Sequence, residues 1–434
     1  MTVRVVENMK LMMTTLNTTR VLKNSLLTVS ALAVLLGSSA CSTQNVKSTT
    51  VTPIVAEQVS VPEDELLDVA VGIFAPGLDD IPKNREELTF SDVRMAETQF
   101  TSYQLAQTLQ NSGSWGVVRV NPNDLSAADV AVRGTILQSD GETMVVKVAV
   151  NDATGKLWFE KEYKEVVSKY SYDPRLRRNE DPFQGLYNRV ANDMLAFRNK
   201  NMDRNELLTV RTVSRLQFAK GFAPQVFDQY LTTGRDGTIE VARLPAADDP
   251  MLRRIDTIRE RDYLYIDALQ DYYGNYVRKM EGPYTNFRRE SYQEVIKYDR
   301  LRSAATRNMV LGVAAIVGGL VATQSNNAAV NYSAYGGLLG GGYLIKDAFG
   351  KRDEAQLQLE TLAELGNSME AEIAPQTIEL DEKVVTLTGT VQEQYTQWRE
   401  ILSQIYETET GGAATPTTTP AAIDATPAPT APRN

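Results

Sequence analysis

Apolar and polar residues change rhythm several times along this chain, and each change predicts an element. Residues 26–36 form a short apolar run broken only by Thr28 and Ser30. Residues 68–75 (DVAVGIFA) are almost continuously apolar and end at Pro76-Gly77, which predicts a buried strand. Over 91–110 the residues Ala96, Phe100, Tyr103, Ala106 and Leu109 recur at helical spacing, with Ser91 or Asp92 to cap the helix and Gly113 to stop it. Residues 115–120 read as a second strand. Residues 129–138 and 143–151 read as two more, joined by the turn Ser139-Asp140-Gly141. Residues 156–163 follow across Asp152-Ala153-Thr154-Gly155, and 182–199 supply a closing helix. The order β-α-β-β-β-α predicts an α+β unit over 65–200, a small mixed sheet with helices on one face.

Beyond it the pattern turns helical. Residues 201–308 are rich in Tyr and Arg, and Asp249-Pro250 opens a helix as N-cap and first-turn proline. Met251, Ile255, Ile258, Tyr265, Leu269, Tyr272, Tyr276 and Met280 form one stripe. Gly282-Pro283 is expected to break that helix, with a second one over 284–307. Residues 353–372 carry a further amphipathic helix, and long antiparallel helices packed together are the expected result. Within 346–410, residues 383–390 read as a strand. A helix marked by Val391, Tyr395, Trp398, Leu402 and Ile405 follows, and the pair is expected to return to the first sheet.

Residues 308–345 carry no charge. Within them 309–322 are wholly apolar, 324–334 are a polar turn, and 335–345 are apolar and glycine-dense. This predicts a glycine-rich apolar hairpin over 309–345. Small residues four apart, such as Ala314/Gly318 and Gly336/Gly340, let two backbones approach closely. As a helix, 309–322 reaches about 21 Å, short of a hydrocarbon core of about 30 Å. As a strand it lacks the alternation of a membrane barrel. Gly312, Gly318, Gly319, Gly336, Gly337, Gly340 and Gly341 are the candidate membrane or oligomer contact. Basic residues on both flanks, Lys297, Arg300, Arg302 and Arg307 before and Lys346, Lys351 and Arg352 after, suit anionic head groups. A buried hairpin inside the helical domain, its basic flanks simply solvated, is the other arrangement open to this segment.

Composition narrows the chemistry. The 434 residues include no histidine and one cysteine. That excludes His-based nucleophile systems, His-ligated zinc or haem, internal disulfides and Cys-cluster metal sites. No phosphate loop, dinucleotide fingerprint, calcium loop or nucleophile elbow is present. Acid pairs such as Asp79/Asp80 and Asp248/Asp249 read as turn and capping residues. An acid-based glycan hydrolase is the remaining enzymatic alternative. No catalytic residue, metal or cofactor is assigned, and a non-enzymatic role is expected.

The single cysteine carries the most. Arg20 and Lys23 precede the apolar run, Gly37, Ser38, Ser39 and Ala40 follow it, and Cys41 comes next. A basic start, a short apolar core and a small-residue exit predict an export signal over 1–40. Met9, Met12 and Met13 are alternative starts. The exit resembles the lipobox of bacterial lipoproteins, departing from it at Ser38, where the family has Leu. The resemblance implies fatty-acyl (palmitate) lipidation of Cys41, and Ser42 in place of Asp implies sorting to the outer membrane. The alternative is a plain secretory signal with a free thiol. Residues 41–64 are then a lipidated tether, and the Thr/Pro/Ala-rich 411–434 are expected to be disordered. With 1–40 leave four basic residues (Arg4, Lys10, Arg20, Lys23) and one acid (Glu7), which moves the formal charge from −10 to −13 and speaks against nucleic acid as a partner.

Residues 65–200 carry a second resemblance. The segments DVAVGIF, LAQTLQNSGSWGVVRV, ADVAVRGTIL and VKVAVNDATGKLWFEKEY are similar to the periplasmic α/β domain of small envelope lipoproteins. That group includes the curli secretion lipoprotein CsgG, the flagellar lipoprotein FlgO, the penicillin-binding-protein activator LpoB and the amino-terminal domain of TolB. Asp129, Gly134 and Ile136, then Asp152, Thr154, Gly155 and Trp158, occupy the motif positions. The resemblance implies an interaction module of the cell envelope whose motifs are structural. The expected function is a periplasm-facing scaffold anchored in the outer membrane, with other envelope proteins and further copies of itself as partners. A subunit of an oligomeric secretion or export pore and a regulator of cell-wall synthesis are the alternatives.

Overall fold

A computed structural model describes residues 51–319, 376–380 and 383–410, leaving out 58–60, 80, 83–84, 123–127, 174, 177–179 and 247. For 301–319 other than Ser303, for 376–380 and 383–385, and for Glu87, only the backbone is described. The strands are β1 (Val69–Gly72), β2 (Val118–Asn121), β3 (Val130–Ser139), β4 (Thr143–Asp152) and β5 (Leu157–Val166). They form one mixed sheet in the order β2-β1-β3-β4-β5, with β1 parallel to β2 and β3, and β3, β4 and β5 antiparallel. The helices are α1 (Ser91–Asn111), α2 (Gln184–Asn201), α3 (Arg204–Phe222), the short α4 (Pro224–Phe227), α5 (Pro250–Gly319) and α6 (Val391–Thr410). Two small hairpins complete the description, β6 (Leu231–Thr233) with β7 (Ile239–Val241), and β8 (Gln376–Leu380) with β9 (Lys383–Leu387).

Alternation along the strands sets the layers. Val69, Val71, Val118, Val120, Val130, Val132, Val146, Val148 and Val150 are buried in one cluster with Leu105 and Leu109 of α1 and Val190 and Met194 of α2. The opposite face carries small residues: Ala70 and Ala131 are buried there beside Ala128. Small side chains admit close neighbours: a narrow cleft against Ala70 and Ala128 is walled by Tyr263 and Ile266 of α5 and by Tyr395 and Arg399 of α6. Helices on one face alone, as expected from the sequence, is therefore corrected.

The motif residues hold the sheet together. Asp152 Oδ1 accepts from Thr154 N at 2.9 Å and Asp152 Oδ2 from Trp158 Nε1 at 2.9 Å, which closes the β4–β5 turn. Asp129 Oδ2 accepts from Asp68 N at 3.0 Å, tying β3 to the start of β1. Gly134 leaves room for the Phe74 ring, which any Cβ there would overlap. The Ser139-Asp140-Gly141 turn is confirmed, with Asp140 Oδ1 accepting from Glu142 N and Thr143 N at 3.0 and 2.8 Å.

The caps differ from expectation at α1. Neither Ser91 nor Asp92 caps it; Phe90 is the N-cap, and its ring meets Phe287 edge-on at 5.6 Å. At α5 the expected cap is present, Asp249 Oδ1 accepting from Met251 N at 2.8 Å.

The largest correction concerns Gly282-Pro283. They do not break α5, which is continuous for 70 residues, about 105 Å, with Pro283 inside it. An interior proline costs a helix about 3 kcal/mol. Burial on both sides of it offsets that cost: Met280, Tyr284 and Phe287 pack with Val93, Ala96 and Phe100 of α1 in one cluster. Farther up, Ile255, Ile258, Tyr265, Ile266, Leu269 and Tyr273 join the main core with α3 and α6. The Tyr/Arg-rich helix is thus a packed element on several faces. The β8–β9 pair forms its own two-stranded sheet and does not extend the first one. Helix α6 lies on α5, where the Tyr265 and Trp398 rings stack at 5.2 Å.

Helix α5 also closes an edge of the sheet. Gln270 Oε1 accepts from Val120 N and Gln270 Nε2 donates to Val120 O, both at 2.9 Å, so one side-chain amide stands in for a missing neighbour strand. Arg119 Nε donates to Asp267 Oδ1 at 2.6 Å beside it. Gln270→Ala is expected to cost about 1–2 kcal/mol in chemical denaturation and to raise aggregation at the exposed β2 edge. An unchanged denaturation midpoint would show that the amide is not needed there.

Candidate functional site

The chain just after the expected lipid anchor is fastened to α2 by an amide ladder. Asn188 Nδ2 donates to Thr52 O at 2.8 Å. Asn192 reads the main chain twice, donating to Pro53 O at 3.0 Å and accepting from Val55 N at 2.8 Å. Arg198 pairs with Glu57, and Asn199 Nδ2 reaches the same carboxylate at 3.3 Å. The registers match. Helix residues four apart rise about 6 Å, and two extended residues about 6.7 Å. From Asn188 to Arg198 is about 15 Å of helix, and Thr52 to Glu57 about 17 Å of extended chain. Gly185 lets residues 52–57 lie close, since a Cβ there would stand 3.3 Å from Thr52 N and from the Glu165 carboxylate.

A cleft of about 440 Å³ lies between α1, α2 and α5, beside Asn188 and Ile54. Its polar walls are Gln104, Gln107 and Asn111 of α1 and Gln184 of α2, with Glu180, Asp181 and Glu281 at its rim. Asp181 is the partner of Arg288, whose Nη2 donates to it at 2.7 Å. Arg288 is fully buried, its guanidinium 4.0 Å from the Tyr284 ring and 5.5 Å from that of Phe183.

A second cleft, of about 560 Å³, opens between α3 and α5 at the amino ends of the parallel strands. Three arginines line it, each bonded internally. Arg215 is bidentate on Asp256, Arg259 donates to Tyr263 OH at 2.8 Å and Ser214 Oγ at 2.9 Å, and Arg211 donates to Glu63 O at 3.0 Å. Burial raises the Asp129 carboxyl on its floor, opposed by the Asp68 amide and Arg259. These bonds join α3 to α5 and to the sheet. Among the described residues no group of metal-binding side chains is gathered.

Asp262 of α5 lies beneath α6. Burial pushes its carboxyl up to about 6, against Arg399, Tyr395 and Trp398, which favour the charged form. Asp262 is therefore protonated in the fold below about pH 6, and in the unfolded chain only below about pH 4. Between these values the folded state binds more protons, so stability falls as pH rises through that window, and the cost is fully present above it. Asp262→Asn is expected to raise stability at pH 7.5, by up to about 3 kcal/mol, and to change little at pH 4. Thermal melts at the two pH values check this; destabilisation at both would contradict it.

The expected site residues are distributed unevenly. Gly312, Gly318 and Gly319 lie on the backbone of α5, which runs on through 300–319 for about 30 Å past Asp299, where Arg85 Nη2 still pairs with the helix at 3.2 Å. Within the described part, 309–319 thus continue α5 as helix. Cys41, Gly336, Gly337, Gly340 and Gly341, the second arm of the hairpin, the helix over 353–372 and the tail over 411–434 lie outside the described residues. Among the described residues no helix is long and apolar enough to cross a membrane. The Asn188/Asn192 ladder was not foreseen, although two asparagines four apart share one helix face with Gln184. Compared with known proteins, the chain matches no family model and no curated sequence.

Proposed function

We propose that this chain is a non-enzymatic lipoprotein, held at the periplasmic face of the outer membrane through Cys41, that acts as a scaffold of a cell-envelope assembly. Its partners are the membrane, other envelope proteins and further copies of itself, with no nucleic acid and no cofactor. The observation that carries the reading is the lone cysteine directly after a short apolar run and a small-residue exit. Two features of the fold agree with a scaffold. The segment that follows the anchor is bonded along α2, so a pull on the anchor reaches the body through Asn188, Asn192 and Arg198. Helix α5 offers about 105 Å of length.

Cells producing Cys41→Ala protein test the anchor. The variant is expected to leave the outer-membrane fraction for the soluble periplasm, while the parent protein stays and takes up labelled palmitate. Retention of the variant in the membrane would contradict the anchor. An export-pore subunit is the second reading, favoured by the apolar 309–319 that continue α5. Detergent-extracted protein that forms closed rings with conductance in bilayers would favour the pore; monomers or open assemblies without conductance would exclude it. Turnover of peptidoglycan by the pure protein would overturn the non-enzymatic reading.

A further inference from the structure

Helix α5 closes the β2 edge of the sheet, while the β5 edge has no strand beside it among the described residues. The register of β5 with β4 is regular from Phe159 to Val166, and Val167 N donates to Glu142 O at 2.9 Å. Main-chain groups alternate in direction along an antiparallel strand. Those of the odd-numbered residues therefore face β4, and those of Glu160, Glu162, Lys164 and Val166 face outward. Of these outward groups only Lys164 O has a partner among the described residues, Arg189 Nη2 at 2.7 Å. A carbonyl oxygen has two lone pairs, so it can accept a second bond.

Charge on an edge strand commonly repels other strands. Here the charges follow an order that one partner satisfies. The strand reads Glu160-Lys161-Glu162-Tyr163-Lys164-Glu165. Against a second copy, antiparallel and with the two-fold axis at Tyr163, Glu162 falls opposite Lys164 and Lys161 opposite Glu165. Symmetry repeats both, which gives four pairs of opposite charge and no like pair. The same register brings the outward main-chain groups of Glu162 and Lys164 together, and those of Glu160 and Val166. Moving the axis by one residue puts either Glu162 or Lys164 opposite itself. Lys161 and Glu165 already pair with Asp193 and Arg189 of α2, so their crossing pairs extend existing networks. Glu162 and Lys164 are exposed and have no ion pair among the described residues, so their crossing pairs are new.

We propose that β5 pairs antiparallel with β5 of a second copy of this chain, across a two-fold axis at Tyr163, and joins two five-stranded sheets into one of ten. Main-chain bonds supply the attachment, and the charge order selects a second copy over other strands. An axis normal to the sheet keeps the two α2 helices on one side, so the layers run on unbroken. Seven paired residues cover about 24 Å, a small interface, and the dimer is accordingly weak and sensitive to salt. The pairing specifies the self-association within the proposed scaffold and rests on that part of it, not on the lipid anchor.

The test is sedimentation velocity of the full chain in detergent at low salt, for the parent, Glu162→Lys, Lys164→Glu and the double variant. The parent is expected to dimerise. Each single change sets like charges opposite at both symmetry-related places and is expected to weaken the dimer about tenfold or more. The double variant exchanges the signs and is expected to dimerise as the parent does. The two single variants, mixed, are expected to pair with each other. Hydrogen exchange of the outward amides of Glu160, Glu162 and Lys164 is expected to slow as the dimer forms. A monomeric parent, single variants that dimerise like the parent, or a double variant or mixture that stays apart would each overturn the proposal. So would slow exchange of those amides in the monomer, which would mean that the chain's own residues cover the edge. A monomeric parent with acyl chains on Cys41 would remove this pairing and leave the anchor, and a dimer without acyl chains would do the reverse.

Discussion

Arg288→Ala is expected to cost the fold about 3–5 kcal/mol, the range for breaking a buried ion pair from one side. Arg288 is among the largest fully buried side chains of the molecule. Its Nη2 donates to Asp181 Oδ2 at 2.7 Å, and the rings of Tyr284, Phe183 and Phe100 surround its guanidinium at 4.0, 5.5 and 5.6 Å. Asp181 is itself 5% exposed along its side chain. Truncation leaves that carboxylate charged and without its counter-ion, and opens a cavity among three rings. The Asp181–Arg288 pair also joins the start of α2 to α5, so its loss loosens two elements at once. Arg288→Met with Asp181→Asn removes both charges and is expected to recover most of the loss. Guanidinium denaturation of the two variants measures it. A change below about 1 kcal/mol for Arg288→Ala, within the range of an exposed pair, would contradict the assigned role.

Gly141→Ala is expected to be comparably damaging for a different reason. Gly141 is pressed against the backbone of α5. An added Cβ would overlap the Arg288 carbonyl oxygen and the Tyr292 nitrogen and stand 2.9 Å from Tyr292 Cα. Side chains yield by changing rotamer, but a helix backbone does not, so α5 must lift away from the β3–β4 turn. Lifting exposes Tyr284 and Phe287 and weakens the bond from Tyr172 OH to Gly141 O at 2.6 Å. The expected loss is about 3 kcal/mol or more for one added methyl group. Amide hydrogen exchange is expected to quicken over 284–295 and to remain slow in β3 and β4 away from the turn. Unchanged exchange across α5 would show that the contact is not limiting.

These two sites show what could be read in the sequence and what could not. Strand and turn positions were legible because they depend on neighbours. Alternating valines, the Asp140 turn and the Asp152–Trp158 turn are local patterns, and each appears where it was expected. The continuity of α5 was not legible. Gly282-Pro283 is locally a helix breaker, and only burial of Met280, Tyr284 and Phe287 against α1, nearly two hundred residues earlier, overrides it. Gly141 read as a turn glycine, and its closeness to α5 depends on a contact distant in sequence. Nothing local marks Arg288 as buried, because charge is normally solvated; three aromatic rings and Asp181, all but Tyr284 distant in sequence, enclose it. The strap of residues 52–57 was read as plain tether, since its Ser/Thr/Val/Gln-rich surroundings carry no periodicity. Its order comes from Asn188 and Asn192.

The central claim, that acyl chains on Cys41 hold this scaffold at the membrane, is tested most directly by mass spectrometry of the amino-terminal peptide of protein purified from membranes. The account predicts a peptide that begins at Cys41 and carries a thioether-linked diacylglycerol and an amide-linked fatty acid. A peptide that begins elsewhere, or one in which Cys41 is a free thiol, would contradict it.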